Sequence, residues 1–549
     1  MTAAGRTGLA LSVDIYEPRD FSSPGPAGCN MCGGIISESL VQLLSAEGIV
    51  LPGTVVQRGI DSYVLHTDAG SVRIDPPRRE KRIAAVHRGS GPRGDVATRW
   101  ESFDAHLLGL AGRAGARIVR ERVEGIALED GFPRIRTRSG LSDPCDLVAG
   151  TTGINTAALK IFEGLGIGYR APEATKTYIC EFVLGRETIE RTLGNSMHVF
   201  LLDLPRLEFA AIIPKGECAT VCLLGTAIDK PLVDAFLSSP EVRGCFPDGW
   251  APPPDFCRCS PAINVRGAET PFADRFVFIG DCGVNRLYKD GIGGAYRMAK
   301  AAAMAAVFDG VSAEAFREGY LPACRKLARD NDLGRVVFGV TGLIRKIRPA
   351  RRGLVRMTAS EQRNPGRPQR LSGVLWDTFT GSAPYTDVFR RTLDPRFIGR
   401  MLAEIAAGFF SNATCDAKTE GAPKMGELGK VYAAGEAVIR QGDPGDCMYV
   451  IQSGQVEVVR EADRHEFRLA VLSPGDFFGE MALFERDRRS ATVRALGEVR
   501  VLTIDQGMFL RKIRDDPSLA FRIMEKMSNR IRELDAEVAR LTRPGPDPG

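Results

Sequence analysis

The stretch FFGEMALFERDRRSATVRA, from Phe477 to Ala495, decides the fold of the C-terminal part of the chain. Its chemistry suits a cyclic phosphate joined to a sugar. A short helix that begins near Glu480 would aim backbone N–H groups at an anion. Arg489 can hold a phosphate with charge-assisted hydrogen bonds. Because a carboxylate repels phosphate, Glu480 makes sense in this pattern only as an acceptor for the ribose 2′-hydroxyl.

Short β-rich runs separated by glycine turns surround this stretch. Met448 to Ile451 and Gln455 to Val459 flank Ser453-Gly454, and this pattern predicts a hairpin. Further turn positions are occupied by Gly442, Gly445 and Gly475. Several short strands so close together favour a small sandwich or barrel of the jelly-roll kind.

The segment resembles the phosphate-binding cassette of the cyclic-nucleotide-binding family. The resemblance implies that the nucleotide contacts are Phe478, Gly479, Glu480, Met481, Ala482, Arg489 and Ser490. Arg488 stands where the family often has proline, and Ser490 stands where many members have alanine or threonine. Since a hydroxyl there can reach a guanine amino group, cAMP and cGMP are both open as ligands. A domain that kept the fold and lost its ligand is the alternative.

An amphipathic helix is predicted after the barrel. Its apolar residues recur at spacings of three and four: Met524, Met527, Ile531, Leu534, Val538 and Leu541. This stripe either packs on its own barrel or forms a homodimer helix. No DNA-reading motif follows, so we expect no nucleic-acid partner.

In the N-terminal body, a second stretch has the pattern of a ligand-binding site. Phe276 to Ala303 reads FVFIGDCGVNRLYKDGIGGAYRMAKAAA, in which an apolar strand enters Gly280-Asp281 and a loop then reaches Gly291, Gly293 and an alanine-rich helix. Such glycines let a backbone approach a ligand closely, and a helix start favours an anion. Near the N-terminus, ALSVDIYEPRDF alternates like a strand and ends beside Glu17. That acid is either ribose-binding or simply exposed.

These stretches resemble the flavin motifs of p-hydroxybenzoate-hydroxylase-like flavoproteins. Asp146 to Asn155, DLVAGTTGIN, resembles a further motif of that family, with Thr152 where the family has aspartate. Cys32-Gly33-Gly34 and FAAIIPKGECATVCLLG, from Phe209 to Gly225, resemble segments of geranylgeranyl reductases. The resemblance implies FAD contacts at Glu17, Gly33, Gly34, Gly280, Asp281, Gly291 and Gly293, with the Cys32 thiol near the flavin.

The body departs from that family at its start. Flavoproteins of this kind open with a strand and Gly-x-Gly-x-x-Gly, whose amides bind the pyrophosphate. Only Ala4-Gly5-Arg6-Thr7-Gly8 precedes the first predicted strand here. We therefore expect either a true start further upstream or a body that does not hold flavin in the usual way.

Cysteine pairs offer a second reading of the same region. Cys29 and Cys32 are spaced as a redox disulfide, or as half of a metal site with Cys257 and Cys259. Because no histidine lies near these cysteines in sequence, we predict no metal.

The predicted fold class is an α/β flavoprotein-type body, Rossmann-like with a substrate β-sheet, then a helical connector and a C-terminal β-barrel with a terminal helix. The predicted boundaries are 1–156 and 272–310 for the two parts of the FAD domain, 157–271 for the substrate sheet, 311–424 for the connector and 425–541 for the nucleotide-binding domain with its helix.

Composition limits the setting of the protein. The chain has 549 residues, of which 44% are hydrophobic and 26% charged, as in ordinary globular proteins. A formal charge of +5 is small for this length and predicts no polyanionic partner. Thirteen scattered cysteines fit a reducing cytoplasm. We see no signal peptide and no spanning apolar run, so we expect a cytoplasmic protein.

A basic run in the connector raises the question of a membrane. Between positions 345 and 370, nine cations stand against the single acid Glu361: Arg345, Lys346, Arg348, Arg351, Arg352, Arg356, Arg363, Arg367 and Arg370. The run is either a solvated face or a contact with an anionic membrane surface or ligand.

The sequence therefore predicts a cyclic-nucleotide-regulated, FAD-dependent oxidoreductase that acts on a hydrophobic, isoprenoid-like substrate. NAD(P)H or another donor would supply its electrons. Two alternatives stay open. One is a non-enzymatic nucleotide sensor on a degenerate flavoprotein scaffold, and the other is a flavin monooxygenase.

Overall fold

The computed structural model describes residues 8–25, 32–76, 80, 82–92, 100–364, 366, 368–410, 428–462, 465–481, 488–506, 513 and 518–541. The chain divides into two compact units. The first, called the body, comprises residues 1–40 and 53–428, and the second, called the C-terminal unit, comprises residues 41–52 and 429–549.

The described part of the body mixes short strands with helices. Its strands are β1 (Asp14–Tyr16), β2 (Ile35–Ile36), β3 (Val56–Ile60), β4 (Ser62–Thr67), β5 (Gly70–Ile74), β6 (Ile83–Val86), β7 (Arg117–Val119), β8 (Gly125–Glu129), β9 (Phe132–Thr137), β10 (Gly140–Leu141), β11 (Val148–Gly150), β12 (Glu173–Lys176), β13 (Tyr178–Val183), β14 (Ser196–Phe200), β15 (Leu207–Lys215), β16 (Cys218–Gly225), β17 (Cys257–Cys259), β18 (Ala262–Arg266), β19 (Phe272–Ala273) and β20 (Phe276–Phe278). The helices up to residue 410 are α1 (Glu38–Ala46), which the division between the units crosses, α2 (Phe103–Arg113), α3 (Ala158–Gly164), α4 (Arg186–Thr192), α5 (Lys230–Ser238), α6 (Pro240–Arg243), α7 (Gly291–Phe308), α8 (Ala313–Gly319), α9 (Leu321–Lys346), α10 (Arg348–Arg363), α11 (Arg370–Thr380), α12 (Tyr385–Thr392) and α13 (Pro395–Phe410).

A seven-stranded sheet is the largest in the described body, with strand order β17-β13-β16-β15-β14-β4-β5. Its central strands β15 and β16 are nearly continuous apolar runs, as expected for strands that are covered on both faces. The predicted substrate sheet, 157–271, is therefore too narrow, because β4 and β5 come from residues 62–74. They join through the parallel pairing of β4 with β14.

The parallel strands of the body do not form one doubly wound sheet among the described residues. β1 pairs in parallel with β7, and β11 pairs in parallel with β20, in two separate small sheets. No described strand pairs with the other edge of β1 or of β11, so nothing joins the two sheets into the continuous sheet that the flavoprotein resemblance implies.

The helices of the predicted connector are part of the core. Trp376 of α11 stacks on Tyr63 of the seven-stranded sheet with ring centroids 5.7 Å apart, and Phe338 of α9 stacks on Phe209 at 5.7 Å. Burial of such aromatic surface is a main source of stability. Within the predicted connector, 311–424, the helices α9 to α13 therefore form part of the core of the body, because their apolar side chains cover one face of the sheet.

The C-terminal unit is a jelly-roll-like barrel of two four-stranded sheets, ordered β21-β28-β23-β26 and β22-β27-β24-β25. Its elements are β21 (Lys430–Tyr432), β22 (Ala437–Ile439), β23 (Cys447–Ser453), β24 (Val456–Ala462), β25 (His465–Leu472), β26 (Phe477–Phe478), β27 (Thr492–Ala495), β28 (Val499–Asp505) and the helix α14 (Ser518–Leu541).

The predicted hairpin around Ser453-Gly454 is wrong. β23 pairs with β26 and β28, whereas β24 pairs with β25 and β27, so the chain passes from one sheet to the other at this turn. Gly454 has a φ of +79°, and a Cβ there would lie 2.3 Å from the carbonyl oxygen of Glu498. Glycine at this position therefore allows two chain segments to pass close to each other, and β23 and β24 do not form a hairpin.

Residues 41–52 group with the barrel, although their position in the sequence places them in the predicted range 1–156. Gln42 donates to the carbonyl oxygen of Thr503 at 3.5 Å, and Gln452 donates to the hydroxyl of Ser45 at 3.3 Å. Ala46 packs against the apolar cluster that contains Met448. The sequence pattern gave no sign of these long-range contacts.

Across the described residues, no helix has both the length and the apolar character that crossing a membrane requires.

Candidate nucleotide-binding site

The centre of the site is the turn that follows β26. Phe478 pairs with Tyr449 across the sheet, and their rings stack 5.2 Å apart. The chain then turns at Gly479, which has a φ of +78°. A Cβ at Gly479 would lie 2.6 Å from Nη1 of Arg489, so only glycine lets this backbone lie against the guanidinium.

Arg489 is a buried cation held by neutral groups. Its side chain is 5% exposed and donates hydrogen bonds to the carbonyl oxygens of Gly479 and Cys447, both at 2.8 Å. Its own backbone is anchored to Gly442 and Asp443 at 2.9 and 2.8 Å. No carboxylate in the described part of the chain forms an ion pair with it. A buried guanidinium that lacks a counter-anion is costly, and an anionic ligand removes that cost.

Glu480 follows Gly479 in the chain and is also 5% exposed. Its Oε1 is 3.4 Å from Nη1 of Arg530, which also donates toward the carbonyl oxygen of Phe477 at 3.5 Å. Arg530 belongs to α14, so the acid predicted to bind ribose is linked to the terminal helix. Spacing along the sequence gave no indication of this partner.

The remaining predicted contacts are partly described. Met481 is 48% exposed, and the hydroxyl of Ser490 donates toward its sulfur at 3.8 Å. Both side chains therefore border the same exposed space beside Gly479. Arg488, the departure from proline, donates to the carbonyl oxygen of Gly442 at 2.9 Å. Ala482, together with the helix predicted near Glu480, lies in the range 482–487, outside the described residues.

Comparisons with known proteins concern this same part of the chain. Residues 429–516 match the family model of the cyclic nucleotide-binding domain. This part of the chain is therefore a cyclic nucleotide-binding domain. The chain is 31% identical over 111 residues to the CRP-like cAMP-activated global transcriptional regulator of Mycobacterium tuberculosis, a match that covers 20% of this chain and 50% of that protein.

Two further relatives show how widely the domain is shared. The cyclic AMP receptor protein of Thermus thermophilus is 33% identical over 114 residues, with 21% of this chain and 53% of that protein covered. The cGMP-dependent protein kinase, isozyme 1, of Drosophila melanogaster is 43% identical over 88 residues, with 15% and 12% covered. The chain spans about half the length of the two bacterial regulators.

In the body, the Cys-Gly-Gly segment packs tightly against the seven-stranded sheet and its neighbours. A Cβ at Gly34 would lie 2.0 Å from the carbonyl oxygen of Val86 and 2.8 Å from Nζ of Lys215. A Cβ at Gly33 would lie 3.0 Å from the sulfur of Cys222. Close packing against these backbone and side-chain atoms explains both glycines, with or without a cofactor. Cys32 is a free thiol whose sulfur accepts a hydrogen bond from the amide of Gly34 at 3.4 Å.

The loop from Gly280 to Gly293 contains two acids, Asp281 and Asp290. Asp281 accepts a hydrogen bond from Asn285 at 2.6 Å, and burial raises its pKa. Asp290 precedes α7 and is bound by Ser37 at 2.6 Å and Arg297 at 2.7 Å. A Cβ at Gly293 would lie 2.3 Å from its Oδ1. The side chain of Asp290 therefore places a negative charge at this helix start, where the sequence pattern predicts an anionic ligand. Gly291, the first residue of α7, lies against Asn285.

Glu17 follows β1, as predicted, and is engaged by its own neighbour. Its Oε1 accepts from the backbone amide and Nε of Arg19 at 3.0 and 2.9 Å, and its Oε2 accepts from Nη2 at 3.0 Å. A ribose would have to share or displace this bidentate pair.

A buried polar cluster under Gly34 was not predicted. Lys215 is 1% exposed and lies 3.5 Å from Oε1 of Glu181, which also accepts a hydrogen bond from Thr220 at 2.8 Å. His87 lies 3.6 Å from the same oxygen, and burial lowers its pKa to about 3, so it is neutral. The signal in the sequence was the Pro-Lys-Gly motif, which contains Lys215 but does not reveal its partners.

The basic run is largely paired within the body. Arg345 and Arg351 are buried, at 6% and 4% exposure. The partners of the run are the Leu204 carbonyl for Arg345, Asp68 for Arg351, the Gly408 carbonyl for Arg352, Glu404 for Arg356 and Asp394 for Arg370. The charge available to an anionic membrane is therefore smaller than the count of residues indicates. Arg367 lies outside the described residues.

Proposed function

We propose that the C-terminal domain binds cAMP or cGMP and that this binding regulates the body. The observation that carries the proposal is the buried guanidinium of Arg489, whose hydrogen-bond partners among the described residues are the Gly479 and Cys447 carbonyls and the Cys447 sulfur, together with the buried carboxylate of Glu480, the residue that follows Gly479. A cyclic phosphate supplies the missing anion, and the ribose 2′-hydroxyl supplies a donor to Glu480.

Isothermal titration of the full chain with cAMP and with cGMP tests this proposal. We expect saturable binding of at least one of them at one site per chain. The open-chain nucleotide 5′-AMP is the control, because its phosphate does not match a site shaped for the cyclic diester. Absence of binding by both cyclic nucleotides would leave a domain that kept its fold and lost its ligand.

The choice between adenine and guanine is proposed to depend on Ser490. The relatives do not decide it, since two are named for cAMP and one for cGMP. The hydroxyl of Ser490 lies beside the exposed Met481, where a base can reach it. If guanine uses that hydroxyl, Ser490→Ala weakens cGMP more than cAMP. Equal changes for the two nucleotides would show that Ser490 does not discriminate.

A homodimer through α14 is proposed from its exposed apolar side chains. Met524, Ile531 and Val538 are spaced by seven residues and are 55%, 57% and 58% exposed, while Ile523 is buried in the apolar cluster of the barrel. Seven-residue spacing on a helix fits pairing with a second copy. Sedimentation of the full chain should show a dimer that Ile531→Glu dissociates and that Arg532→Glu, on the exposed surface of the same helix, leaves intact.

For the body we propose a flavin-dependent reductase of hydrophobic substrates. Arg88 interacts electrostatically with both Cys32 and Asp281, and Lys215 lies beneath Gly34. The Cys32 thiol and the Arg88 guanidinium fit the ring end of a flavin, where protein groups tune the electronics of the ring. Arg88 and Lys215 are each paired with a carboxylate, Asp104 and Glu181, so they would act there as hydrogen-bond donors and add little net positive charge. When bound, the flavin would supply the electron transfer. Among the described residues before β1, 8–13, there is no Gly-x-Gly-x-x-Gly loop that could hold the pyrophosphate.

The absorbance spectrum of the purified chain, with and without added FAD, tests this second proposal. Flavin bands that stay with the protein on gel filtration would support it, and oxygen consumption with NAD(P)H would then separate a monooxygenase from a reductase. A colourless protein that binds no FAD would leave the non-enzymatic sensor. Regulation is tested by saturating nucleotide, which should change turnover or flavin affinity by a coupling of about 1–3 kcal/mol.

A further inference from the structure

Two histidines and a cysteine meet in the hydrophobic layer on one face of the seven-stranded sheet. His66 on β4 and His198 on β14 belong to neighbouring parallel strands, and Cys245 follows α6. Their residues are 8%, 3% and 2% exposed. The surroundings are apolar and include Phe200, against whose ring His66 stacks at 4.7 Å.

The three inner atoms lie at distances that suit coordination of one ion. His66 Nε2 is 2.9 Å from His198 Nδ1, and the sulfur of Cys245 is 3.4 Å from His198 Nδ1 and 3.9 Å from His66 Nε2. A tetrahedral zinc ion with ordinary bond lengths places two nitrogens about 3.3 Å apart and a nitrogen and a sulfur about 3.6 Å apart. The observed distances lie on both sides of these values.

The outer nitrogens of both imidazoles already have partners. His66 Nδ1 lies 2.8 Å from the hydroxyl of Ser71, and His198 Nε2 donates to the carbonyl oxygen of Leu193 at 3.3 Å. Such contacts fix the tautomer and orientation of histidine ligands in metal sites. Burial lowers the pKa of both imidazoles, that of His198 to about 4, so both rings are neutral.

We propose that His66, His198 and Cys245 hold one thiophilic d10 cation, Zn²⁺ or Cu⁺, in a structural site of the body. The sequence expectation of no metal considered only the pairs Cys29/Cys32 and Cys257/Cys259, and the proposal concerns a different set of residues. Sequence reasoning missed the site because its three ligands come from three distant segments.

Uptake of the ion requires two rearrangements. The two rings are nearly coplanar, at 14°, and meet nitrogen to nitrogen as in an N–H···N hydrogen bond. The ion takes the place of that proton, which His66 then carries on Nδ1 and donates to Ser71, and each ring turns toward the sulfur. Cys245 loses its thiol proton to solvent on metal binding. Burial raises the pKa of that thiol to about 12, so the ion has to displace the proton.

Charge and coordination number distinguish the two ions. A thiolate and two neutral imidazoles leave Cu⁺ with no net charge, which suits a dry site, whereas Zn²⁺ keeps one positive charge and usually takes a fourth ligand. The test therefore loads each ion separately.

The experiment measures metal per chain in the full-length protein. The chain is unfolded with chelator and refolded under reducing conditions with Zn²⁺ or with Cu⁺, then gel-filtered and analysed by mass spectrometry for metals. We expect about one equivalent of one of the two ions in the wild type and most of it lost in Cys245→Ser. A Co²⁺-loaded sample should show a sulfur-to-cobalt charge-transfer band that the same substitution removes.

Matched variants keep the result interpretable. Cys180 is buried in the same apolar cluster but lies outside the proposed ligand set, so Cys180→Ser should keep the ion. The double variant Cys257→Ser/Cys259→Ser should keep it too. The proposal is overturned if the refolded wild type retains neither ion, or if Cys245→Ser retains as much as the wild type.

Discussion

The nucleotide-binding domain and the body place their buried cations in opposite electrostatic situations. Arg489 is surrounded by carbonyl oxygens and has no described carboxylate partner, whereas Lys215 lies 3.5 Å from the buried carboxylate of Glu181. A buried cation that has no counter-anion favours the binding of an anionic ligand, whereas the charge of a buried cation that has a counter-anion is already neutralised. The C-terminal site therefore indicates the charge of its ligand more directly than the polar cluster in the body does.

The two regions also differ in how their sites are encoded. Gly479, Glu480 and Arg489 lie close together in sequence, and Arg489 packs against the turn at Gly479 that Glu480 follows. In the body, Gly34, Glu181 and Lys215 come from distant segments that only the sheet brings together. The geometry of a site whose residues are neighbours in sequence can be predicted from the sequence, while that of a site whose residues are far apart in the chain requires the structure.

The largest expected effect is loss of body stability when the Lys215 ammonium is removed. Lys215→Met leaves Glu181 buried without its cation and should lower the free energy of unfolding by about 3–5 kcal/mol. Urea unfolding followed by tryptophan fluorescence measures this, because Trp100, Trp250 and Trp376 all lie in the body. Adding Glu181→Gln should restore much of the loss. A change below about 1 kcal/mol in the single variant would show that the ion pair is not structural.

The next largest effect is expected from low pH, which should lower the stability of the body more than that of the C-terminal unit. The pKa of His87 falls to about 3 on folding, because burial penalises its charged form. Between that value and the ordinary 6.5 the unfolded chain binds more protons, so stability is lost as the pH falls below about 6.5, by about 2 kcal/mol at pH 5 from this residue. The C-terminal unit has one histidine, the exposed His465.

The measurement is the urea midpoint of tryptophan fluorescence at pH 7 and pH 5, beside nucleotide affinity at both values. The body should lose stability while nucleotide binding changes little. Because burial lowers the pKa of His66 and His198 as well, His87→Gln should reduce the loss of stability between pH 7 and pH 5 by about 2 kcal/mol without abolishing it, and an unchanged loss in that variant would contradict the assignment to His87.

A methyl group at the phosphate turn should have a smaller effect on stability but a clear one on the ligand. Gly479→Ala and Gly435→Ala both place a side chain at positive φ, +78° and +79°, at a cost of about 1–2 kcal/mol each. Only the methyl at 479 meets Arg489, since nothing lies within 4 Å at 435. Calorimetric titration should show weaker nucleotide binding in the first variant alone, and equal binding in both would speak against the geometry.

The smallest expected effect concerns the link from Glu480 to the terminal helix. Because Arg530 is about one-third exposed, its pair with Glu480 is worth about 0.2–1 kcal/mol. Arg530→Gln should change nucleotide affinity up to about fivefold, while the exposed Arg532→Gln should not change it. Identical nucleotide affinities in the two variants would show that the contact between α14 and Glu480 does not affect nucleotide binding.

Sequence reasoning reached the C-terminal domain because one short motif holds the glycine, the acid and the arginine together. It failed at Ser453-Gly454, where the local pattern of a hairpin is the same whether two strands pair or separate into different sheets. It also missed Arg530, Lys215 with Glu181, and the meeting of His66, His198 and Cys245, since each of these depends on contacts between residues far apart in the chain.

The central claim is that Arg489 is the phosphate receptor of a working nucleotide site. The most direct test compares Arg489→Ala with Arg468→Ala, an equal loss of charge on the exposed surface of the same barrel, by titration with cAMP and cGMP. The account predicts that Arg489→Ala weakens binding by about 10- to 150-fold, the value of charge-assisted hydrogen bonds of about 1.5–3 kcal/mol, while Arg468→Ala binds like the wild type. Equal affinity in Arg489→Ala and the wild type would contradict the account.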